Sequence, residues 1–198
     1  MSTKPTDASE LDIESLVDRV IDSYQSDERT EHIDATFLPS RDAVIELIEL
    51  LRRLFFPGFF DPSRLTTEHL REHVTGLIAQ VSEAMSTQID HALRYAANLE
   101  RDGHGDACDQ CTERARRITG DFLRTIPTMR RTLALDVQAA FDGDPAAPNT
   151  DETVFCYPGL HAVFIHRVAH ELYQAKVPLL PRIMNEHAHS LTGIDIHP

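Results

Sequence analysis

The sequence predicts an all-α fold of about seven or eight helices, and three observations predict it. Apolar residues recur at three- and four-residue spacing over most of the 198 residues, the period of one helix face. Glycine and proline clusters interrupt that period at Pro57-Gly58, at RDGHGD (101–106), at Asp142-Gly143-Asp144-Pro145 and at Lys176-Val177-Pro178. No convincing strand appears before Gly193, and Ile194-Asp195-Ile196 then alternates apolar, polar, apolar, so at most a short extended segment is expected, at the C-terminal end.

Taken in order, Ser9 is a suitable N-cap, with Asp12 three residues on in capping-box spacing. Ile13, Leu16, Val17, Val20, Ile21 and Tyr24 then share one helix face. Residues 25–39 are polar and unpatterned and read as a linker. Ser40 can cap a second helix whose stripe is Val44, Leu47, Ile48, Leu51, Leu54 and Phe55. FFPGFFDP (55–62) makes an aromatic corner. From Thr66 or Thr67 a long run follows, with Leu70, Val74, Leu77, Ile78, Val81, Met85, Ile89, Leu93 and Ala96 in helical period. After the turn at 101–106, Ala115, Ile118, Phe122 and Ile126 mark another helix, and Pro127 is expected to break it before Met129, Leu133, Val137, Ala140 and Phe141 resume. Tyr157-Pro158-Gly159 launches a helix with the wide stripe Leu160, Val163, Phe164, Val168 and Leu172. Pro181 opens a last helix that Gly193 can close.

Charge and cysteine usage exclude several classes of function. With 32 acidic against 19 basic residues the net charge is −13, which argues against nucleic acid or an anionic membrane as partner. Residues 1–50 hold 13 acids and 4 bases, so −9 of that charge sits in the first quarter. Such a stretch reads as a solvated face, or as a helix that docks on another subunit. No run of 18 apolar residues exists, and MSTKPTDASE lacks the apolar core of a signal peptide, so a cytoplasmic chain is expected. Three cysteines do not look like a disulfide framework.

Two constellations could bind a metal. Cys108 and Cys111 form a lone CxxC, two ligands where structural zinc needs four, with His104 and Asp106 nearby. Two thiols at a helix start is the plainer reading. His166 and His170 share a helix face, but Glu171 lies on another flank, and His161, His187, His189 and His197 complete the late cluster. Satisfied core or interface histidines are the simpler account, and no metal site is expected. Asp195, on an extended segment at a domain edge, is a reasonable partner for a histidine base.

DVQAAFDGDPAA, then FCYPGLHAVFIHRVAHELY, then VPLLPRIMNEHAHSLTGIDIHP resemble the serine O-acetyltransferase family. The likeness is dense from about Leu133 to Pro198 and looser upstream, and the variant most resembled also has a long N-terminal helical extension. It implies a helical N-terminal domain followed by a left-handed parallel β-helix of hexapeptide repeats. It further implies acetyl transfer from acetyl-CoA to the L-serine hydroxyl, giving O-acetyl-L-serine in the first step of cysteine biosynthesis. A histidine acts as general base there, an aspartate orients it, and acetyl-CoA is a co-substrate with no tightly bound cofactor.

Residue by residue, Asp195 in Gly-Ile-Asp-Ile-His-Pro matches the aspartate paired with that catalytic histidine. Asp144 in Asp-Pro-Ala-Ala matches an acid of the serine pocket, suited to receiving the substrate ammonium. The resemblance divides the chain into an acidic helical extension and linker (1–39), the helical domain (40–193) and the first residues of a β-helix (194–198). The catalytic histidine, the acetyl-CoA coils and the tail that binds O-acetylserine sulfhydrylase would all follow Pro198. The 198 residues by themselves are therefore expected not to acetylate serine. Homo-oligomerisation through the helical domain is implied as well. A stand-alone oligomerisation or regulatory module derived from the family is the alternative, and a metal-binding helical protein a third reading.

Overall fold

In the computed structural model, residues 11–35, 38–99 and 110–198 are described. Among them are seven α-helices, one short 3₁₀ turn and no strand: α1 (Ile13–Gln25), the turn Glu28–Thr30, α2 (Arg41–Phe55), α3 (Leu70–Leu99), α4 (Cys111–Asp142), α5 (Thr150–Cys156), α6 (Pro158–Gln174) and α7 (Leu180–Thr192). They fall into two compact units, Met1–Ala35 and Thr36–Pro198.

The first unit holds α1. Its N-cap is Asp12, whose side chain accepts from the Ser15 N–H at 3.2 Å. Ser9, the sequence-predicted cap, lies outside the described residues. None of the α1 residues is buried.

In the second unit one core joins α2, α3, α4, α6 and α7. Ser40 caps α2 by accepting from the Ala43 N–H at 3.2 Å, and all six residues of the predicted stripe are buried. The Ser40 N–H itself donates to buried Gln88 on α3 at 2.8 Å, tying the start of α2 to its neighbour. α3 and α4 run antiparallel, clasped at one end where Thr112 bridges Asp90 and Arg94 at 2.9 Å each. The turn 101–106, His104, Asp106 and Cys108 lie outside the described residues. Cys111 is buried and held in a disulfide, so the expectation of a free thiol at that helix start is corrected.

The aromatic corner after α2 is built as the sequence suggested. Gly58 sits at φ +85, where a side chain would be strained. Asp61, its side chain only 3% exposed, accepts from the Gly58 N–H at 2.8 Å and pairs with Arg53 at 3.1 Å, and His73 Nε2 lies 3.2 Å from the same carboxylate. Phe55 and Phe56 meet Phe164 of α6 at centroid distances of 5.5 and 5.6 Å.

Pro127 does not break its helix. α4 runs unbroken from Cys111 to Asp142 with Pro127 inside it. An interior proline costs about 3 kcal/mol through its missing N–H and its clash with the preceding turn. Ile126, Met129 and Leu133 are buried on the same face, and each contributes about 1.5–3 kcal/mol. Continuity of that face outweighs the local penalty. Two helices expected from sequence are thus one, while α5, which no periodicity announced, restores the count.

Candidate functional site

Asp144 follows the last turn of α4. That helix ends where the Gly143 N–H closes on the Ala139 carbonyl at 3.1 Å. The Asp144 backbone N–H returns to Phe141 O at 3.3 Å, and its own carbonyl accepts from Ala147 at 3.0 Å. The chain turns tightly here, and the carboxylate folds over the turn to accept from the Ala146 N–H at 2.9 Å. A carboxylate at a helix C-terminus faces the negative end of the dipole and needs compensating donors.

The second donor comes from across the fold. Tyr157 stands between α5 and α6, at the N-cap of α6, with Pro158 in the first helical position. α5 is capped by Asn149, whose side chain accepts from the Glu152 N–H at 2.9 Å, and its C-terminal turn closes where the Tyr157 N–H reaches Thr153 O at 3.3 Å. This places the Tyr157 hydroxyl 2.6 Å from Asp144 Oδ2, to which it donates. The hydrogen bond from Tyr157, and then that from Ala146, hold the Asp144 carboxyl below the usual carboxylate range. The same bond to Asp144 pushes the Tyr157 phenol up to about 12. Near neutral pH the pair is therefore a carboxylate and a neutral phenol. A carboxylate offers about four acceptor positions and two are filled, so Asp144 can still receive an ammonium or hydroxyl donor.

α4 and α6, which carry this pair at their ends, are clamped further along by Arg167 and Asp136. Arg167 Nε and Nη2 donate to the two Asp136 oxygens at 2.6 and 2.7 Å, a bidentate pair. Sequence reasoning did not find this clamp or the Tyr157 contact. The partners are 31 and 13 residues apart, and no periodicity links them.

Asp195 lies beyond α7, which ends on Gly193 at φ +72. Residues 194–198 have no regular secondary structure, because a strand needs a neighbouring strand and none is present among the described residues. The segment is pinned on both sides of Asp195. Ile194 N–H donates to Thr192 Oγ1 at 3.1 Å, and buried Asn185 donates to Ile196 O at 2.5 Å. Asp195 itself is exposed and makes no hydrogen bond among the described residues, and none joins it to Asp144.

The histidines separate by environment. Burial pushes the His161 imidazole down to about 4, and burial also lowers His166 and His187. The His166 and His170 rings lie side by side with centroids 5.7 Å apart, at a cavity of about 420 Å³ between α4 and α6 that Glu171 also lines. Among the described residues no three histidine, cysteine, aspartate or glutamate side chains are grouped to hold a metal ion. No helix among them is long and apolar enough to cross a membrane.

No family model matches the chain. The plasmid-borne serine acetyltransferase of Synechococcus elongatus is 36% identical over 161 residues, covering 81% of this chain and 50% of that protein. The serine acetyltransferase of Mycobacterium tuberculosis is 54% identical over 63 residues, 32% of this chain and 28% of that protein. The chain thus spans half the length of the first relative and a smaller share of the second. Among solved structures, Entamoeba histolytica serine acetyltransferase 1 in complex with L-cysteine superposes over 94% of this chain and 61% of its own, with a TM-score of 0.59 and 30% identity. Isoform 3 from the same organism, in complex with cysteine, gives a TM-score of 0.59 at 26% identity, covering 94% of this chain and 59% of its own. Sequence and fold together place the chain in the serine acetyltransferase family, as its N-terminal helical region.

Proposed function

We propose that this chain is the helical part of an enzyme that transfers acetyl from acetyl-CoA to the hydroxyl of L-serine. The observation that carries the reading is the Asp144 carboxylate, fixed by Tyr157 and the Ala146 N–H with acceptor capacity to spare. In this reading Asp144 receives the substrate ammonium. L-Cysteine carries the same ammonium and carboxylate, so it is a second ligand for that carboxylate. Asp195 orients a histidine base contributed by residues that follow the Gly193–Pro198 motif. That base takes the serine hydroxyl proton as the oxygen attacks the thioester carbonyl, and coenzyme A leaves as its thiol. Acetyl-CoA is a diffusible co-substrate and no metal takes part. The working compartment is the cytoplasm, and O-acetylserine sulfhydrylase is a partner of the longer form.

The test is L-serine-dependent release of coenzyme A from acetyl-CoA. It is run on the 198 residues and on a chimera in which Pro198 continues into the remaining half of the Synechococcus relative. The chimera is expected to turn over and the 198-residue chain is not. Asp195→Asn in the chimera is expected to lower kcat by about 10²–10⁴. Full turnover by the 198 residues, or an unchanged rate in Asp195→Asn, contradicts the proposal.

A second role, assembly, is favoured by the exposed apolar face of α1, on which six large hydrophobic residues are at least 38% exposed. In this reading the helical region joins copies of the chain into a homo-oligomer.

A further inference from the structure

The segment that carries Asp195 doubles back along α7. Gly193 closes that helix at φ +72, in the left-handed region, and reverses the chain. Three residues on, the Ile196 carbonyl accepts from Asn185 Nδ2 at 2.5 Å, although Asn185 lies eleven positions earlier. Two helical turns, a rise of about 10 Å, separate Asn185 from Thr192, and three extended residues cover about the same length. Residues 194–196 therefore lie back along the Asn185–Ala188–Thr192 face. Thr192 Oγ1 accepts from the Ile194 N–H at 3.1 Å and donates to Ala188 O at 2.7 Å. Asp195 is thus bracketed by one hydrogen bond before it and one after it. Ile194 and Ile196 are half-buried while Asp195 and His197 are exposed, the alternation of an extended segment.

Asn185 is an unusual residue to find inside this helix packing. It is 5% exposed and shares the buried side of α7 with the apolar Leu180, Pro181, Met184 and Ala188. Only the NH2 end of the amide can donate to a carbonyl, which fixes its orientation. Its Oδ1 is then left buried with no hydrogen-bond partner among the described residues. A buried acceptor without a donor destabilises the fold, so packing of α7 alone would be better served by an apolar residue. What the amide supplies, and an apolar residue does not, is the donor to Ile196 O. Departures of this kind from local consistency gather at functional sites.

We propose that Asn185 is a positioning residue for the transferase: its amide holds the Ile196 carbonyl against α7 and so aims the exposed Asp195 carboxylate at the histidine base. The inference rests on the transferase reading above and adds a residue to it. Asn185 acts only through Asp195. Asp144 is held by other elements, so binding of L-serine is unaffected.

The experiment is steady-state kinetics of the chimera described above, run as a double-mutant cycle of Asn185→Ala and Asp195→Asn. With Asp195 present, Asn185→Ala is expected to lower kcat about ten- to a hundredfold, the scale set by misplacing a reacting group by about 1 Å, with KM for L-serine unchanged. On the Asp195→Asn background it is expected to lower kcat by less than about twofold. Asn185→Leu, which lacks the donor but leaves no orphaned oxygen, is expected to give the same split. Both variants of the 198-residue chain are expected to keep a cooperative urea transition. An unchanged rate in Asp195→Asn overturns the transferase reading and this inference with it. A fall in Asp195→Asn with no change in either Asn185 variant leaves that reading standing and overturns this one. Equal fold-losses on both backgrounds, or loss of the urea transition in both variants, assign Asn185 to the fold and likewise overturn it.

Discussion

Cutting the Arg167–Asp136 pair should loosen the fold at the place that sets Tyr157 against Asp144. The pair joins α6 to α4 through two hydrogen bonds of 2.6 and 2.7 Å, with 33% and 24% of the two side chains exposed. Fully exposed pairs are worth about 0.2–1 kcal/mol, whereas removing one partner of a buried pair costs about 3–5 kcal/mol. A bidentate, half-buried pair falls between these limits. Arg167→Met, which strands the carboxylate, should cost about 2 kcal/mol, and Asp136→Asn somewhat less. The double variant should recover part of the loss, with a coupling of about 1 kcal/mol. Urea unfolding of the four proteins measures this, and a 2 kcal/mol loss corresponds to roughly 4–8 °C in Tm for a unit of this size. The clamp lies two to three helical turns from Tyr157, so Arg167→Met should also let the phenol titrate below its value of about 12. Additive single effects within about 0.3 kcal/mol, with an unmoved phenol, would refute the clamp.

Other consequences follow from the same contacts. Asp144→Asn should return the Tyr157 phenol from about 12 towards the ordinary tyrosine range near 10, which ultraviolet titration reads directly. His161, pushed down to about 4 by burial, takes up a proton more readily in the unfolded chain. Its contribution is fully present above pH 6.5 and is lost as pH falls towards 4; the full shift would be about 3 kcal/mol, and partial solvation reduces it to roughly 1–2 kcal/mol. His161→Gln should flatten the stability profile between pH 7 and 5, and a profile of unchanged slope would count against that assignment. Phe164→Ala removes a side chain 1% exposed that meets Phe55 and Phe56, and should cost about 3–5 kcal/mol by thermal or urea unfolding.

What the sequence made legible follows from how local each signal is. The α2 stripe from Val44 to Phe55, the Ser40 cap, the Pro181 start and the Gly193 stop depend on residues within four positions of one another, and the structure has all of them. Pro127 misled because its effect is local while the buried face of Ile126, Met129 and Leu133 is held by other helices. α5 was missed because a seven-residue helix with one buried residue, Thr153, carries no periodic stripe. Of the candidate site, Asp144 was singled out through the motif around it. Its partner Tyr157 was visible only as the start of a helix, since α5 must fold back before the two meet. Asp195 was likewise singled out by motif, and its exposed carboxylate gives local geometry little with which to mark it.

The central claim is that Asp144 receives the ammonium of L-serine. The most direct measurement is the steady-state kinetics of the chimera with Asp144→Asn, varying L-serine and acetyl-CoA in turn. The account predicts that KM for L-serine rises by about tenfold or more, since a charge-assisted hydrogen bond is worth about 1.5–3 kcal/mol, while KM for acetyl-CoA stays unchanged. An unchanged KM for L-serine, or an equal rise for both substrates, would contradict it.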